Sequence, residues 1–438
     1  MAPRGTHFCR KARWLLATMV VALSLLVLSS WWASVTGQAE KKGESPQAAG
    51  VIDAALYPSL QAALDAIPAS GGVVRLPPGI YKLERPLILA RSASRLEGAG
   101  PATILVNLCP PGEPTLIIRP ADLRENPKAE LWRVEITGLR LQGEPSPPEA
   151  KSSNPSSGPG ILAQNVNELF IHGVTIDHHG GHGIHLANCY ENPRIIGCAI
   201  SYNRGAGIAI DGGHDIVVAN NQLEENQFAL RCLDSFNLCM TGNNIDDHLG
   251  DGIVIENTYG SVVSGNMIEE CQGAAIVLGR DCYGITLSAN VIAHNFGGGI
   301  RLLDAWGCAV SANTFVLNGK DSVYAANESG RIVITGNSFC DSFVGGTTRR
   351  PGDQNFATGL RFEGTTDVVI GGNQFSGLDG SAVVASGQCR RILVAGNIVV
   401  DVNKRAEDAK DPVDIPHQAD CIKEVNIVAA PTVGPDRR

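Results

Sequence analysis

The chain has 438 residues, 44% of them hydrophobic and only 5% aromatic, with 50 glycines and a net charge of −9. That apolar content supplies a large core, and few aromatics with many glycines suit short strands and tight turns better than one aromatic-centred core. The acidic balance excludes nucleic acid as a partner, because a phosphate backbone needs a basic footprint.

At the N-terminus Arg4, Arg10, Lys11 and Arg13 precede an uncharged run over residues 14–35. A cationic start followed by an apolar run is an export segment. The run is long enough to span a bilayer, and the small residues Gly37 and Ala39 near its end permit cleavage. Residues 1–39 therefore read as a cleaved signal peptide or a retained N-terminal membrane anchor, residues 40–50 as a linker, and the mature protein as secreted or held in the cell envelope. Losing residues 1–13, which carry those four cations and no acid, takes the net charge from −9 to −13.

Residues 57–67 then form a short amphipathic helix, with Leu60, Ala63, Leu64 and Ile67 on one face. Its expected role is to cap the first coil of a stacked repeat, where an open parallel edge would invite aggregation. Two strand-rich stretches come next, GGVVRLPPGIYKL and RPLILARSASRLEGAG.

From about residue 165 the chain repeats itself. Phrases such as TGNNI, SGNMI, SANVI and TGNSF place Asn at 221, 243, 266, 290, 313, 337, 373 and 397, mostly 22 to 24 residues apart. About nine residues after each Asn comes a second phrase, such as GIHLAN, GIAIDG, GIVIEN or GIRLLD. Each repeat thus holds two or three strands with period-2 alternation. No single repeat can bury its apolar face, so repeats must stack, which yields parallel strands, a continuous core and a ladder of stacked Asn amides. A second ladder is expected at the turn, from Asn203, Asn226, Asn295 and Asn318, interrupted by His179, His248 and Cys271. Leucine-rich, propeller, helical and left-handed hexapeptide repeats all fail on period. The twelve cysteines are scattered, and Cys198, Cys232 and Cys308 fall at inward positions as small hydrophobes rather than in a disulfide frame or a zinc site.

The reading is an all-β, single-stranded, right-handed parallel β-helix of about 23-residue coils, spanning residues 51–405 behind its short capping helix. Insertions at residues 143–160 and 343–356 enter at the same corner of their coils and should border a groove over the second-phrase strands. After about residue 405 the register fades, leaving 406–438 as a tail or cap with a last strand at 423–428.

The opening over residues 57–89, with its Ile-Pro helix end, Gly-Gly, short strand, Pro-Pro-Gly and Tyr81, resembles the pectate-lyase-like superfamily of right-handed β-helices. The resemblance covers roughly residues 51–405 and is specific for fold. It implies little about activity, since that superfamily spans lyases, hydrolases, epimerases, phage tailspikes and binding proteins. The Asp246-Asp247 and Gly181-His182-Gly183 phrases occur in the wrong order for a polygalacturonase, so no role is carried over.

Outward positions concentrate the candidate chemistry. His178, His182, His185, Tyr202, Asp211 and Arg231 should gather on neighbouring coils about 4.8 Å apart. A base, an acid and a carboxylate-neutralising arginine are what β-elimination or epimerisation of a uronic acid requires. The same residues read equally as a solvated strand face. Arg204, Arg280, Arg301 and Arg361 are candidate substrate-binding cations along the stripe. Asp246, Asp247, Asp251 and Glu256 form an acidic group able to pair a general acid with a base or to hold Ca2+, or to be plain acidic surface. The aromatic platforms Tyr202, Phe228, Tyr259, Tyr283 and Trp306 are few, which favours a charged substrate. The expected activity is that of a polysaccharide lyase or epimerase on an acidic glycan, working as a monomer and touching membrane only through the N-terminal segment. The alternative is a non-catalytic glycan-binding or cell-surface β-helix.

Overall fold

Strict alternation of apolar and polar residues in short segments forces one side chain in two inward, and the repeat brings each segment back above its predecessor. In the computed structural model, which describes residues 50–143, 157–340, 358–386, 388–403, 410–418 and 420–429, this produces a right-handed parallel solenoid. The N-terminal segment and the bodies of both insertions lie outside the described residues. No described helix is long and apolar enough to cross a membrane.

Each coil carries three strands, which stack into three rows. The long row holds the second-phrase strands, such as Ile184–Cys189, Ala206–Gly213 and Phe228–Phe236. The middle row holds Arg194–Ile196, Val217–Ala219 and their equivalents, and the short row Thr175–Asp177, Ala199–Ser201 and theirs. All pairings are parallel and join strands one coil apart; Ile184, for example, pairs with Ile208, and Ile208 with Leu230. The inward residues of the long row, among them Ile184, Leu186, Ile208, Ile210, Leu230 and Cys232, are fully buried. Phe315, Phe339 and Phe375 stack inside the short row with ring centroids 4.7 Å apart.

The first asparagine ladder forms as expected. Each side-chain NH2 donates to the Oδ1 of the next Asn at 2.9–3.0 Å, from Asn221 to Asn243 through Asn373 to Asn397. Each Oδ1 also accepts the backbone N–H of the Asn before it, as from Asn266 to Asn290 at 3.0 Å. The buried amides are thereby satisfied without water. The ladder continues to Asn426, and strands at Val413–Asp414, Cys421–Glu424 and Ile427–Ala429 extend all three rows past residue 405. The segment expected as a tail or cap over residues 406–438, with a last strand at 423–428, thus carries strands that pair onto the coil before it.

The second ladder also forms. Asn203 donates to Asn226 at 2.8 Å and Asn295 to Asn318 at 3.0 Å. His179 is fully buried, with its N–H on Asn203 Oδ1 and its Nε2 at 2.9 Å from Thr115 Oγ1. Between the short and long rows the chain turns through one left-handed residue per coil: His178, Tyr202, Glu225, Asp247, Glu270, His294 and Leu317, with φ between 46° and 59°. A non-glycine residue there costs about 1 kcal/mol or more, so its recurrence in seven coils marks the position as one the corner demands.

The described helix is Leu60–Asp65, shorter than expected, with the Ser59 hydroxyl accepting from the Ala62 N–H as its N-cap. The Gln61 side chain accepts from the Ile88 N–H and donates to the Ile88 carbonyl, at 2.8 and 3.0 Å, so it occupies the edge of strand Leu87–Leu89. All eleven described cysteines are free thiols, most of them buried.

Candidate functional site

The long row aligns its outward side chains in two files. His185, Ala209, Arg231 and Val254 are successive register partners, and Ala187, Asp211, Leu233 and Glu256 form the neighbouring file. Asp211 thus lies one coil along and one file across from His185. Their side chains meet, with His185 Nε2 2.7 Å from Asp211 Oδ2. An Nε2–H donating to Asp211 leaves the Nδ1 lone pair of His185 outward, which is how a carboxylate orients an imidazole as a base.

His182 stands beside this dyad, its ring 5.2 Å from that of His185 in an edge-on arrangement. Its Nδ1 accepts the Ala206 N–H at 2.9 Å, which places the proton on Nε2. Burial, with the neighbouring His185, lowers its pKa to about 4. At neutral pH His182 is therefore an uncharged donor rather than a general base. Arg231 lies two coils from His185, about 9–10 Å along the stack. Its guanidinium is 3.4 Å from Glu256, whose other oxygen is 3.9 Å from Arg280.

His178 and Tyr202 form a second group at the left-handed corner. Their rings stack with centroids 4.9 Å apart. His178 Nδ1 is 2.8 Å from Asp177 Oδ1, and the buried Asp177 carboxylate also takes a two-pronged bond from Arg140 at 2.7 and 3.0 Å. Arg140 gave no sequence signal, because it lies a coil earlier in a segment without the repeat phrase. Glu225, burial, Glu224 and Asp247 together raise the Tyr202 pKa, so its phenol holds its proton. The six expected catalytic residues thus divide into His182, His185, Asp211 and Arg231 on the strand face, and His178 with Tyr202 on the corner.

The expected metal set does not converge. Asp251 Oδ1 accepts the Ala274 N–H at 2.7 Å, Glu256 faces two arginines, and Asp246 and Asp247 sit on the corner. Among the described residues no group of three or more His, Cys, Asp or Glu is arranged to hold a metal ion. Asp246 is instead crowded by burial and by Asp247, Glu269, Glu224 and Glu270, which raise its pKa to about 6.

Farther along, Arg301 donates to the Gly297 carbonyl at 2.9 Å and lines a hollow of about 290 Å3 with Lys320, Asp321 and Tyr324. Arg361 pairs with Asp321 at 3.1 Å, and Tyr324 donates to Glu363 at 2.8 Å. These four lie across the point where the second insertion leaves at Cys340 and returns at Thr358. Asp321 and Tyr324 were missed because their coil lacks the Gly-Ile phrase. Arg204 keeps its place on the corner, its N–H on the His179 carbonyl. A larger hollow, about 760 Å3, lies over the middle row near the N-terminal end rather than over the long row. Arg95, Arg133, Glu135, Glu168, Phe170 and Arg194 line it, and the Arg194 guanidinium lies 4.4 Å over the Phe170 ring.

Comparison with known proteins agrees with the fold. No curated protein matches the chain significantly by sequence. Among solved structures, the pre-mature form of bacteriophage phi29 gene product 12 is 13% identical over 77% of this chain and 50% of that one, with a TM-score of 0.61. The A-module of the Azotobacter vinelandii mannuronan C-5 epimerase AlgE4 is 18% identical over 85% and 91%, with a TM-score of 0.41. DFA-IIIase from Arthrobacter chlorophenolicus A6 is 14% identical over 88% and 99%, with a TM-score of 0.48. The chain spans 50% to 64% of the length of the viral proteins it matches. The family described as the right-handed β-helix region matches residues 159–304 and 280–406, more than half of the sequence. The chain belongs to the right-handed β-helix family.

Proposed function

We propose that this chain is an exported carbohydrate-active β-helix that removes the proton beside the carboxylate of an acidic sugar, as a lyase or epimerase. The observation that carries the reading is the 2.7 Å bond between His185 and Asp211 on an outward file. In this reading His185 Nδ1 takes the C5 proton while Asp211 holds the ring and balances the imidazolium. His182 donates from Nε2 to the sugar carboxylate, and Arg231, released from Glu256, neutralises its charge. Tyr202, protonated at the corner, or solvent then supplies the completing proton, to O4 as the C4–O4 bond breaks in a lyase or to the opposite face of C5 in an epimerase.

With alginate, pectate or a heparinoid, with and without Ca2+, exchange of solvent deuterium into C5 detects the epimerase. Ultraviolet absorbance of an unsaturated product separates the lyase from the epimerase. Exchange or unsaturated product that persists undiminished in His185→Ala would sink the assignment.

A second reading, a glycan-binding β-helix without turnover, is favoured by the internal pairing of the candidate cations, Arg231 and Arg280 with Glu256 and Arg361 with Asp321. Binding of a polyuronate with neither exchange nor unsaturated product would establish it.

A further inference from the structure

At the far end of the long strands, where the chain turns toward the middle row, six successive coils carry the same short phrase. It reads Asn188-Cys-Tyr190, Gly212-Gly-His214, Asp234-Ser-Phe236, Asn257-Thr-Tyr259, Asp281-Cys-Tyr283 and Asp304-Ala-Trp306. The middle residue of each is small and buried. The first residue takes the left-handed conformation in every coil, with φ from 42° to 75°. The third residue is a ring that faces outward. His214 pairs with Phe236, Phe236 with Tyr259, Tyr259 with Tyr283, and Tyr283 with Trp306. Tyr190 follows Cys189, itself the partner of Gly213, and so keeps step with His214. The result is one file of six rings, about 24 Å long at the inter-coil spacing.

The rings pack on one another and over the next coil, and the Arg331 guanidinium lies 5.8 Å over the Trp306 ring. Phe236 and Tyr259 stack at 5.5 Å, and Phe236, Tyr283 and Tyr190 are 45%, 50% and 40% exposed. Tyr283 and Trp306 lie against glycines of the next coil. A Cβ at Gly307 would come within 3.4 Å of the Tyr283 ring, and one at Gly330 within 2.8 Å of the Trp306 ring. In a chain with so few aromatics, a continuous outward file is an expensive use of them in water, since each exposes large apolar area. Alongside the rings runs a file of amides and carboxylates. Asn257 donates to Asp234 at 2.6 Å, Tyr259 Oη lies 2.9 Å from Asp281 Oδ2, and the Asp281 N–H donates to Asp304 at 2.9 Å.

We infer that this ridge is a binding surface for a neutral polysaccharide, separate from the His185 file. A pyranose ring offers a C–H face that packs on an aromatic face and equatorial hydroxyls that donate to carboxylates and amides beside it. A regular file of rings and acceptors suits a polymer of repeating units. Asp234, Asp281 and Asp304 repel a polyuronate, which sets this ligand apart from an acidic substrate. A purely apolar protein partner would strip water from three carboxylates without offering them a donor of its own, at a desolvation cost that apolar contact does not offset.

The test is affinity electrophoresis of the full chain in gels containing galactomannan, xyloglucan or a β-glucan, with alginate and pectate gels beside them. Retardation in a neutral gel is expected, weakened about tenfold or more, or about 1.4 kcal/mol, in the Phe236→Ala/Tyr283→Ala double variant. His185→Ala should be retarded like the parent, which separates this surface from the proposed catalytic one. Because the replaced rings are solvent-facing, the unfolding midpoint should hold. If the double variant fails to fold, Tyr283→Ser with Asp281→Asn is read in the same gels. Retardation by polyuronates alone, none in any neutral gel, or equal retardation of parent and variant would overturn the inference. So would self-association in sedimentation that the same variants abolish, which would make a second copy the occupant.

Discussion

Two neighbouring regions of each coil obey opposite rules. Inside, the first ladder places Asn at one position from Asn221 to Asn426 without exception. Outside, along the long row, the file that passes through Leu162 and His185 continues through Ala209, Arg231 and Val254, changing chemistry at every step. The interior leaves one solution because a buried amide must both give and accept a bond at the coil spacing, and Asn does both in a short side chain. The exterior is solvated, so the fold tolerates any residue there, and departures from monotony carry the information about function.

The comparison predicts a sharp gradient of mutational effects. Asn290→Ala should be the most damaging. It strips the acceptor from the Asn266 N–H and the side-chain donor from the Val263 carbonyl, and leaves the Asn266 side-chain amide with the Met240 and Ser264 carbonyls alone. With each of the two stripped groups costing about 1–3 kcal/mol, a loss of about 2–6 kcal/mol is expected in chemical unfolding. A loss below 1 kcal/mol would show that the ladder is decoration. On the outer file, His185→Ala should leave the unfolding midpoint in place while the proposed C5 exchange falls by about 10²–10⁴. Parallel losses of stability and exchange would assign His185 to the scaffold instead.

Acid should separate the two regions again. Burial holds His179 and His248 at pKa values of about 4, below the ordinary 6.5. Unfolded, both take up protons as pH falls through 6.5, whereas folded they resist until about 4. The stability they preserve is complete above pH 6.5 and declines toward pH 4, by an amount on the order of a few kcal/mol for the pair. Denaturant midpoints at pH 7, 5.5 and 4.5 measure it, and a flat series would contradict their neutral burial. Asp246 has the opposite sign, because burial and the neighbouring carboxylates raise it to about 6 and its ionisation opposes folding as pH rises through that value. Asp246→Asn should therefore stabilise slightly at pH 7 and have no effect at pH 4. Smallest of all is Arg391→Ala, which removes an exposed pair with Asp367 and should leave the unfolding midpoint indistinguishable from the parent's, because water and salt screen such a pair.

Coil length, both ladders, the inward cysteines and the burial of His179 were legible in the residues, since each rests on a pattern repeated within a single coil. The second ladder could be read even through its interruptions, because His179, His248 and Cys271 keep the spacing that Asn sets. The site was legible in part. His185 and Asp211 were expected together and do meet, but Arg231 was expected to face substrate and lies against Glu256. The ring file is not apparent along the string of residues, where Tyr259, Tyr283 and Trp306 read as isolated platforms and Phe236 carries no signal. Bulges between Glu256 and Tyr259 and between Gly279 and Cys282 restore alignment that a simple count from the Gly-Ile phrase loses.

The division has one physical origin. An inward position answers to its own strand's alternation and to a neighbour one fixed coil away, so a periodic string specifies it. An outward contact such as Arg361 with Asp321, 40 residues apart, depends on turn lengths, bulges and side-chain direction across an insertion. None of those is periodic, and they become determinate when the coils are stacked.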